Sequence, residues 1–335
     1  MEARVLDEVG RQLDHLMSLD TSGKGVVPPL YRAATSGAAE PLSTGAARML
    51  AERVEPGDVV GIITGFPSRS FLLEGVTETD GPVGAALLAR VLEEALGVVP
   101  VIITERRVAH FCALCATAAG LLVTDAERAL RSKRGPHHAA CTAVVDVPTE
   151  HDAARARAAE LFDTLAPAAL VAVEQPSVGA DGLAHTAAGR AITDHLLAKM
   201  DHLFTEAARR GVPRIGIGDN GNEMGMASIR DAVHASGPLG PTICAGSDCD
   251  ALLVAGNSNW GAYALAAAVE ATAAGRCEVL PRVDIEAIHR RCAEAGAIDG
   301  ISQRPEPKSD GTPIELNRGV LALMAWVVNV AAAKG

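Results

Sequence analysis

From residue 58 onward the chain alternates between short β-branched runs and longer Ala/Leu-rich stretches. The short runs lie at 59–64, 99–104, 120–124, 142–147, 169–174, 214–218 and 251–256. The longer ones lie at 83–97, 125–133, 150–165, 188–210, 224–234 and 260–274. Continuous apolar runs of strand length, separated by segments of helix length, predict an α/β fold. Its core is a mainly parallel sheet with helices on both faces. Ahead of this rhythm, Leu6, Val9, Leu13 and Leu16 recur at helical spacing and predict an N-terminal helical extension. The stretch 20–41 is rich in Gly, Ser and Pro, and reads either as a loop reaching over a site or as a linker. The expected organisation is residues 1–52 as helical extension and connecting loop, and 53–335 as the α/β domain. No internal repeat is visible.

Polar residues stand at the ends of the strand candidates: Thr64, Glu105, Asp125, Asp146, Glu174, Asp219 and Asn257. Ligands of open parallel sheets bind outside the carboxyl ends of the strands, so this row is the expected edge of a site. Asp125 and Asp146 also fit a plainer role, as a helix cap and an exposed strand end. The densest cluster runs from Gly216 to Gly225, where glycines and asparagines surround Asp219 and Glu223 between a strand and a helix-like stretch. Such a turn gathers acid side chains and free N–H groups at one spot. It suits a metal ion or a small anion, or serves simply as a tight connection with Asp219 as N-cap.

Charge and composition narrow the partners. The chain has 335 residues, 30 basic and 41 acidic, for a net charge of −11. That argues against non-specific nucleic-acid binding, which needs clustered Lys and Arg. The run Arg131-Ser132-Lys133-Arg134 reads as a solvated helix end. Aromatic residues make up 3%, too few for base-stacking platforms. Seven cysteines at irregular spacing do not form a disulfide framework. Cys112 and Cys115 read as core residues on a helix, and His137-His138 as an exposed loop pair. The opening Met1-Glu2-Ala3-Arg4 has no basic-then-apolar signal pattern, and the apolar run 320–333 is shorter than a membrane span and interrupted by Asn329. The expectation is a cytoplasmic protein with no membrane partner, the run being a buried helix or the subunit contact of a homo-oligomer.

Glu174, Asp181, Asp219 and Glu223 are expected to converge. Carboxylates brought together repel unless a cation or shared protons compensate. Oxygen ligands suit a hard divalent metal, Mg²⁺, Mn²⁺ or Ca²⁺. In Glu78-Thr79-Asp80-Gly81-Pro82 the proline fits the first turn of a helix. Asp80 or Thr79 is then either its cap or part of a carboxylate or phosphate subsite. Ser258-Asn259-Trp260 opens another helix, with Ser258 as a cap and Asn259 able to reach a carboxylate or amide. No nucleophile elbow, phosphate loop with Lys, or correctly placed dinucleotide fingerprint is present.

Several segments together resemble the D-glutamate cyclase-like family. The family's Gly-Ile-Gly-Asp-x-Gly-Asn-Glu-x-Gly-Met run is similar to residues 216–226. In the same order as the family come Thr64-Gly65-Phe66-Pro67 with Glu78-Thr79-Asp80-Gly81-Pro82-Val83-Gly84-Ala85, and Glu174-Gln175-Pro176 with Ala180-Asp181-Gly182. Ser258-Asn259-Trp260-Gly261, Gly296-Ala297-Ile298-Asp299-Gly300 and Asp310-Gly311-Thr312-Pro313 complete the likeness, which covers roughly residues 45–330. The resemblance implies that the α/β domain is catalytic and converts D-glutamate, or a related small amino or hydroxy acid, to 5-oxo-D-proline and water. It implies Asp80, Glu174, Asp219 and Glu223 as catalytic residues, with Glu174, Asp219 and Glu223 doubling as metal ligands. Thr64, Gly65, Glu78, Thr79, Gly81, Asp181, Asn222, Ser258 and Asn259 become the substrate-binding set. Three positions depart from the family pattern: Gln175 stands in place of an Arg, Ala184 in place of a Tyr, and Asn220 in place of a Gly. The first two remove a carboxylate clamp and a hydrogen-bond donor. A metal-dependent phosphohydrolase and a non-catalytic small-acid binding protein are the alternatives.

Overall fold

A computed structural model describes residues 1–134 and 138–334, apart from the Arg134 side chain. Three helices, α1 (Ala3–Met17), α2 (Val27–Thr35) and α3 (Leu42–Arg53), precede the sheet. There follow β1 (Val59–Thr64), α4 (Pro82–Leu96), β2 (Val99–Thr104), α5 (Ala109–Ala118), β3 (Leu122–Thr124), α6 (Ala126–Arg134) and β4 (Cys141–Asp146). The chain continues through α7 (His151–Leu165), β5 (Pro167–Val173), α8 (Asp201–Arg210), β6 (Arg214–Gly218), α9 (Arg230–Ala235) and α10 (Gly240–Ile243). It ends with β7 (Ala251–Val254), α11 (Ser258–Ala273), α12 (Ile285–Glu294) and α13 (Ile314–Ala332).

The strands form one seven-stranded sheet in the order β3-β4-β2-β1-β5-β6-β7. Every pairing in it is parallel. β1 and β2 are buried at every position, as expected when helices cover both faces. One face packs against α1, α3, α4, α5, α11, α12 and α13, the other against α6, α7 and α8. The N-terminal helices α1 and α3 thus share the core of α4 and α11. The chain winds outward from β1 in one direction and from β5 in the other, so β1 and β5 flank the topological switch point. Register brings Thr64 beside Val173 and Val173 beside Ile217, which levels the carboxyl ends of β1, β5 and β6.

Some elements differ from the sequence pattern, for local reasons. Within 20–41 a helix forms at α2, because Pro28 and Pro29 sit in its first turn, where missing N–H groups cost nothing. The first part of that stretch does reach over the sheet end, where Thr21 Oγ1 lies 3.4 Å from Thr312 Oγ1. Of 188–210 only α8 is a regular helix. Ahead of it the buried Lys199 ammonium donates to Asp194 O and Oδ1 at 2.8 Å and to Leu197 O at 3.0 Å, locking a loop that makes only a single 3-10 turn at Asp194–Leu196. In 224–234 Gly225 takes φ +99°, and the helix is delayed to α9. α12 had no counterpart among the expected helices.

The basic run is not purely solvated: Lys133 Nζ pairs with the buried Glu93 at 2.9 Å, as does His138 Nε2. His137 lies outside the described residues. Asp125 caps α6, accepting from Arg128 N at 2.8 Å. The apolar run 320–333 belongs to the longer α13, whose 19 residues and mean hydropathy of 1.3 reach the length and composition of a membrane span. Its inner face, Val320, Leu321, Met324, Ala325 and Val328, lies in the core, and Asn317 Oδ1 accepts from Trp260 Nε1 at 2.9 Å. Leu316, Leu323 and Trp326 face outward.

Candidate active site

The site is built at the switch point, where close backbone approach dictates glycine. Gly81 takes φ +95°, and a Cβ there would lie 2.6 Å from Thr64 Oγ1 and 3.0 Å from Glu174 Cβ. Glu174, at the end of β5, takes φ +48°, a strained conformation for a residue with a side chain. Its Oε2 accepts from Ser258 Oγ at 2.6 Å. Ser258 therefore orients Glu174, and the N-cap of α11 is Asn257, whose side chain accepts from Trp260 N.

Asp80 does not cap the helix that follows it. Its oxygens accept from Ser258 N at 2.9 Å and Asn259 N at 2.7 Å, closing the N-terminus of α11, with a further bond from Gly81 N. The exchange is reciprocal: Asn259 Oδ1 accepts from Gly81 N at 3.0 Å and Gly84 N at 2.7 Å at the start of α4. Asn259 Nδ2 donates to Thr79 O and Ser309 Oγ. All its bonding capacity is met by protein, so Asn259 is a positioning residue and not a free substrate donor. Thr79 is likewise committed, its hydroxyl donating to Lys308 O.

The glycine turn after β6 holds two acids. Glu223 is fully buried and accepts from Asn220 N at 3.1 Å and Gly221 N at 2.9 Å. Asn220 Nδ2 donates to Asp219 Oδ1. Carboxylate oxygens of Glu174, Asp219 and Glu223 lie within 4.8 Å of one another. So do those of Asp80, Asp219 and Asp310. Asp219 belongs to both sets. Asp310 takes φ +49° in a turn that Asp299 organises, accepting from Gly311 N at 2.7 Å and Ser302 N at 2.6 Å. Gly300 lets Glu78 approach Asp310, since a Cβ there would lie 2.7 Å from Glu78 Oε2 and 2.9 Å from Asp310 Oδ1.

Burial makes this cluster electrostatically unusual. Asp219 is pushed well above the ordinary carboxylate range by burial, then by Glu174 and Asp310. Glu174 is raised by burial, then by Glu223 and Asp80, and Asp80 by burial, then by Asp310. Asp310 is raised by burial. Glu78 rises to about 8, by burial first and Asp310 second. Among the described residues no Lys or Arg forms an ion pair with any of these six acids. Arg69 eases the charge of Glu78 and Lys24 that of Asp310 from beyond ion-pair distance, too little to reverse either shift. A buried all-oxygen donor set so weakly compensated fits a hard divalent cation, or must hold protons in its place.

The cluster borders a cavity of about 760 Å³. Glu78, Glu174, Asn222 and Asp310 line it, while Asp80, Asp219 and Glu223 are buried beside it. Lys24, Arg69, Phe71 and Arg190 line it too, with Arg69 acting on Glu78 and Lys24 on Asp310. Of the expected set, Thr64 Oγ1 is buried beside Gly81 without a partner, while Gly65 shapes the turn after β1 at φ +120°. Asp181 does not join the acids. Its exposed carboxylate accepts from Leu183 N in a local turn and lies 3.4 Å from His185 Nε2. Gln175 is buried and directed to Pro176 O, and Ala184 packs with Phe66, Ile192 and Leu197. Asp310 and the three cations escaped sequence reasoning. Asp310-Gly311 stood within a recognised segment, but no strand ends there to mark it.

The human mitochondrial D-glutamate cyclase is 32% identical over 209 residues, which is 62% of this chain and 32% of that protein. The match thus spans about a third of the relative's length. The sequence model of the C-terminal part of D-glutamate cyclase-like proteins matches residues 13–325, from the first helix into the last, and so the chain belongs to the D-glutamate cyclase-like family.

Proposed function

We propose that this protein is a metal-assisted cyclase converting D-glutamate, or a closely related small amino acid, to 5-oxo-D-proline and water. The observation that carries this is the buried acid cluster without ion-paired cations, opening into a cavity that Lys24, Arg69 and Arg190 also line. Glu174, Asp219 and Glu223 would hold the metal, with Asp80 and Asp310 alongside. A bound cation would neutralise the substrate carboxylate and make its carbon a better electrophile.

The protein's own groups do the remaining work. Ring closure forms a bond between the amino nitrogen and the side-chain carboxyl carbon and breaks one C–O bond. The ammonium gives up two protons, and the departing oxygen leaves with them as water. Asp310, lining the cavity, receives one proton from the amine and passes it to the departing oxygen. Glu78, raised to about 8 and also lining the cavity, holds a proton near neutrality, delivers it to the leaving oxygen and regains one from the second proton the amine gives up. Asn222 Oδ1, buried without a partner, accepts an N–H of the substrate and orients it. Holding the chain curled converts the cost of folding it back into rate.

The sharing of Asp219 between two acid sets favours a second reading, since paired cations bridged by one carboxylate serve phosphoester hydrolysis. One experiment separates the two. Purified protein is incubated with D- and L-glutamate and Mg²⁺, Mn²⁺ or Ca²⁺, and 5-oxoproline is followed by chromatography. Metal-dependent product from D-glutamate is expected, abolished by chelation. Unchanged amino acids together with hydrolysis of a generic phosphoester would replace the cyclase by a phosphohydrolase. Tight binding of the acid without turnover would make the protein a binder.

A further inference from the structure

The outer side of α13 is an apolar face that no described residue covers. Its inner side lies in the core and is tied there at two levels. Asn317 Oδ1 accepts from Trp260 Nε1, and Asn329 Oδ1 accepts from Cys277 N at 2.8 Å. The helix is therefore fixed to the domain along its length and is not free to cross a membrane. Helical spacing places Gly319, Ala322, Leu323, Trp326 and Val330 on the outer side. Trp326 is 67% exposed and Leu323 51%. No charged residue occurs between 319 and 333. A groove of about 580 Å³ between α13 and residues 280–286, which Trp326 also lines, extends the face sideways. Charges stand at the two ends of the helix: Glu315 in its first turn and Lys334 just past its last. Among the described residues neither forms an ion pair within the chain. They lie about 28 Å apart along the helix axis, too far to meet each other.

We propose that this face joins two copies of the chain, with α13 packed antiparallel against α13 of the second copy about a two-fold axis. The face is complementary to itself in that arrangement. With the axis midway between Leu323 and Trp326, Leu323 faces Trp326 of the second copy, Gly319 faces Val330, Leu316 faces Ala333 and Glu315 faces Lys334. Away from the centre each larger side chain meets a small one, opposite charges close both ends, and symmetry makes every contact twice. Gly319 and Ala322 allow the close approach that near-antiparallel helix packing requires. Parallel pairing would instead set Glu315 against Glu315 and Lys334 against Lys334. A membrane surface fits less well, because Glu286 and Glu315 flank the face and the chain carries −11, which an anionic bilayer repels. The interface also backs the active site. Asn317 Nδ2 donates to Thr312 O and Pro313 O, so the first turn of α13 anchors the segment that carries Asp310.

The test measures the mass of the full chain in solution by sedimentation over a range of concentrations. Wild type is expected at twice the chain mass at micromolar concentration. Trp326→Glu should be monomeric with an unchanged far-ultraviolet spectrum, since the side chain it replaces is mostly exposed. Glu315→Lys and Lys334→Glu should each weaken the dimer about fivefold. The double variant carrying both changes restores opposite charges across the antiparallel pair, and should return to within about twofold of wild type. A wild type that stays monomeric, or a folded Trp326→Glu protein that stays dimeric, would overturn the interface. Single charge variants that dimerise like wild type, or a double variant as weak as the singles, would overturn the antiparallel register. Flotation of wild type but not Trp326→Glu with vesicles of phosphatidylcholine and phosphatidylserine, the protein remaining a monomer, would give the face to a membrane and sink the dimer.

Discussion

Asp219 stands at the centre of the chemistry, because it belongs to both acid sets and forms no ion pair with a Lys or Arg among the described residues. Its ionised form is unfavourable in the metal-free protein and favourable once a divalent cation sits among the acids. Asp219→Asn should therefore act in opposite directions on two measurements. Calorimetric titration with Mn²⁺ should show affinity weakened at least tenfold, about 1.4 kcal/mol. The melting temperature in chelator should rise or hold, since a buried carboxyl group that must take up a proton to fold is gone. A variant that binds Mn²⁺ like wild type removes Asp219 from the ligand set. The acids Glu174, Asp219 and Glu223 were legible in the sequence, because strand ends and a glycine turn mark them. Asp181 was not distinguishable from them there. Only the fold shows that its loop turns back on itself and bonds its carboxylate to Leu183 N.

At the scale of elements, the site depends on two helices that cap one another. Asp80 closes α11 and Asn259 closes α4, across 178 residues of sequence. The starts of both helices could be read locally, from Pro82 in one and the polar opening of the other. Their exchange of caps could not, because nothing in either segment names its partner. Gly84 makes it possible, since a Cβ there would lie 2.8 Å from Asn259 Oδ1 and 2.9 Å from Ala262 Cβ. Asn259→Ala leaves Gly84 N buried without an acceptor and Gly81 N with its bond to Asp80 alone, and it removes the donors to Thr79 O and Ser309 Oγ. An orphaned buried donor costs about 1–3 kcal/mol. We expect a denaturation midpoint lowered by an amount equivalent to roughly 2–4 kcal/mol, with activity falling as Asp80 and Gly81 shift. Full stability with lost turnover would show instead that Asn259 acts on substrate and that α4 finds its cap elsewhere.

For the whole molecule, alternation of apolar runs was enough to predict a parallel sheet covered on both faces, but not the strand order. The switch between β1 and β5 is what gathers Thr64, Glu174 and Asp219 at one place and lets the segment around Asp310 close over them. Concentrating acids there has a consequence for stability across pH. Glu78 titrates near 4.5 when unfolded and at about 8 when folded, so the folded state holds its proton more tightly. Its stabilisation is complete below 4.5 and lost as pH rises toward about 8, and Asp80, Glu174, Asp219 and Asp310 act in the same direction. His289 works the other way. Buried in α12 with Nε2 unpartnered, its ring falls from 6.5 to about 4, so its contribution is present above 6.5 and lost on acidification. Each such group changes stability by about 1.4 kcal/mol per pH unit while it titrates between its two states. The metal-free protein should therefore melt highest in mildly acidic buffer, with the melting temperature declining on both sides. Saturating divalent metal should lift the alkaline limb, because the cation replaces the protons. Glu78→Gln should flatten that limb without metal, and His289→Leu should flatten the acid one. A metal-free melting temperature that climbs steadily from pH 5.5 to 8 would mean that the buried acids are compensated within the protein, and the need for a cation would fall with it.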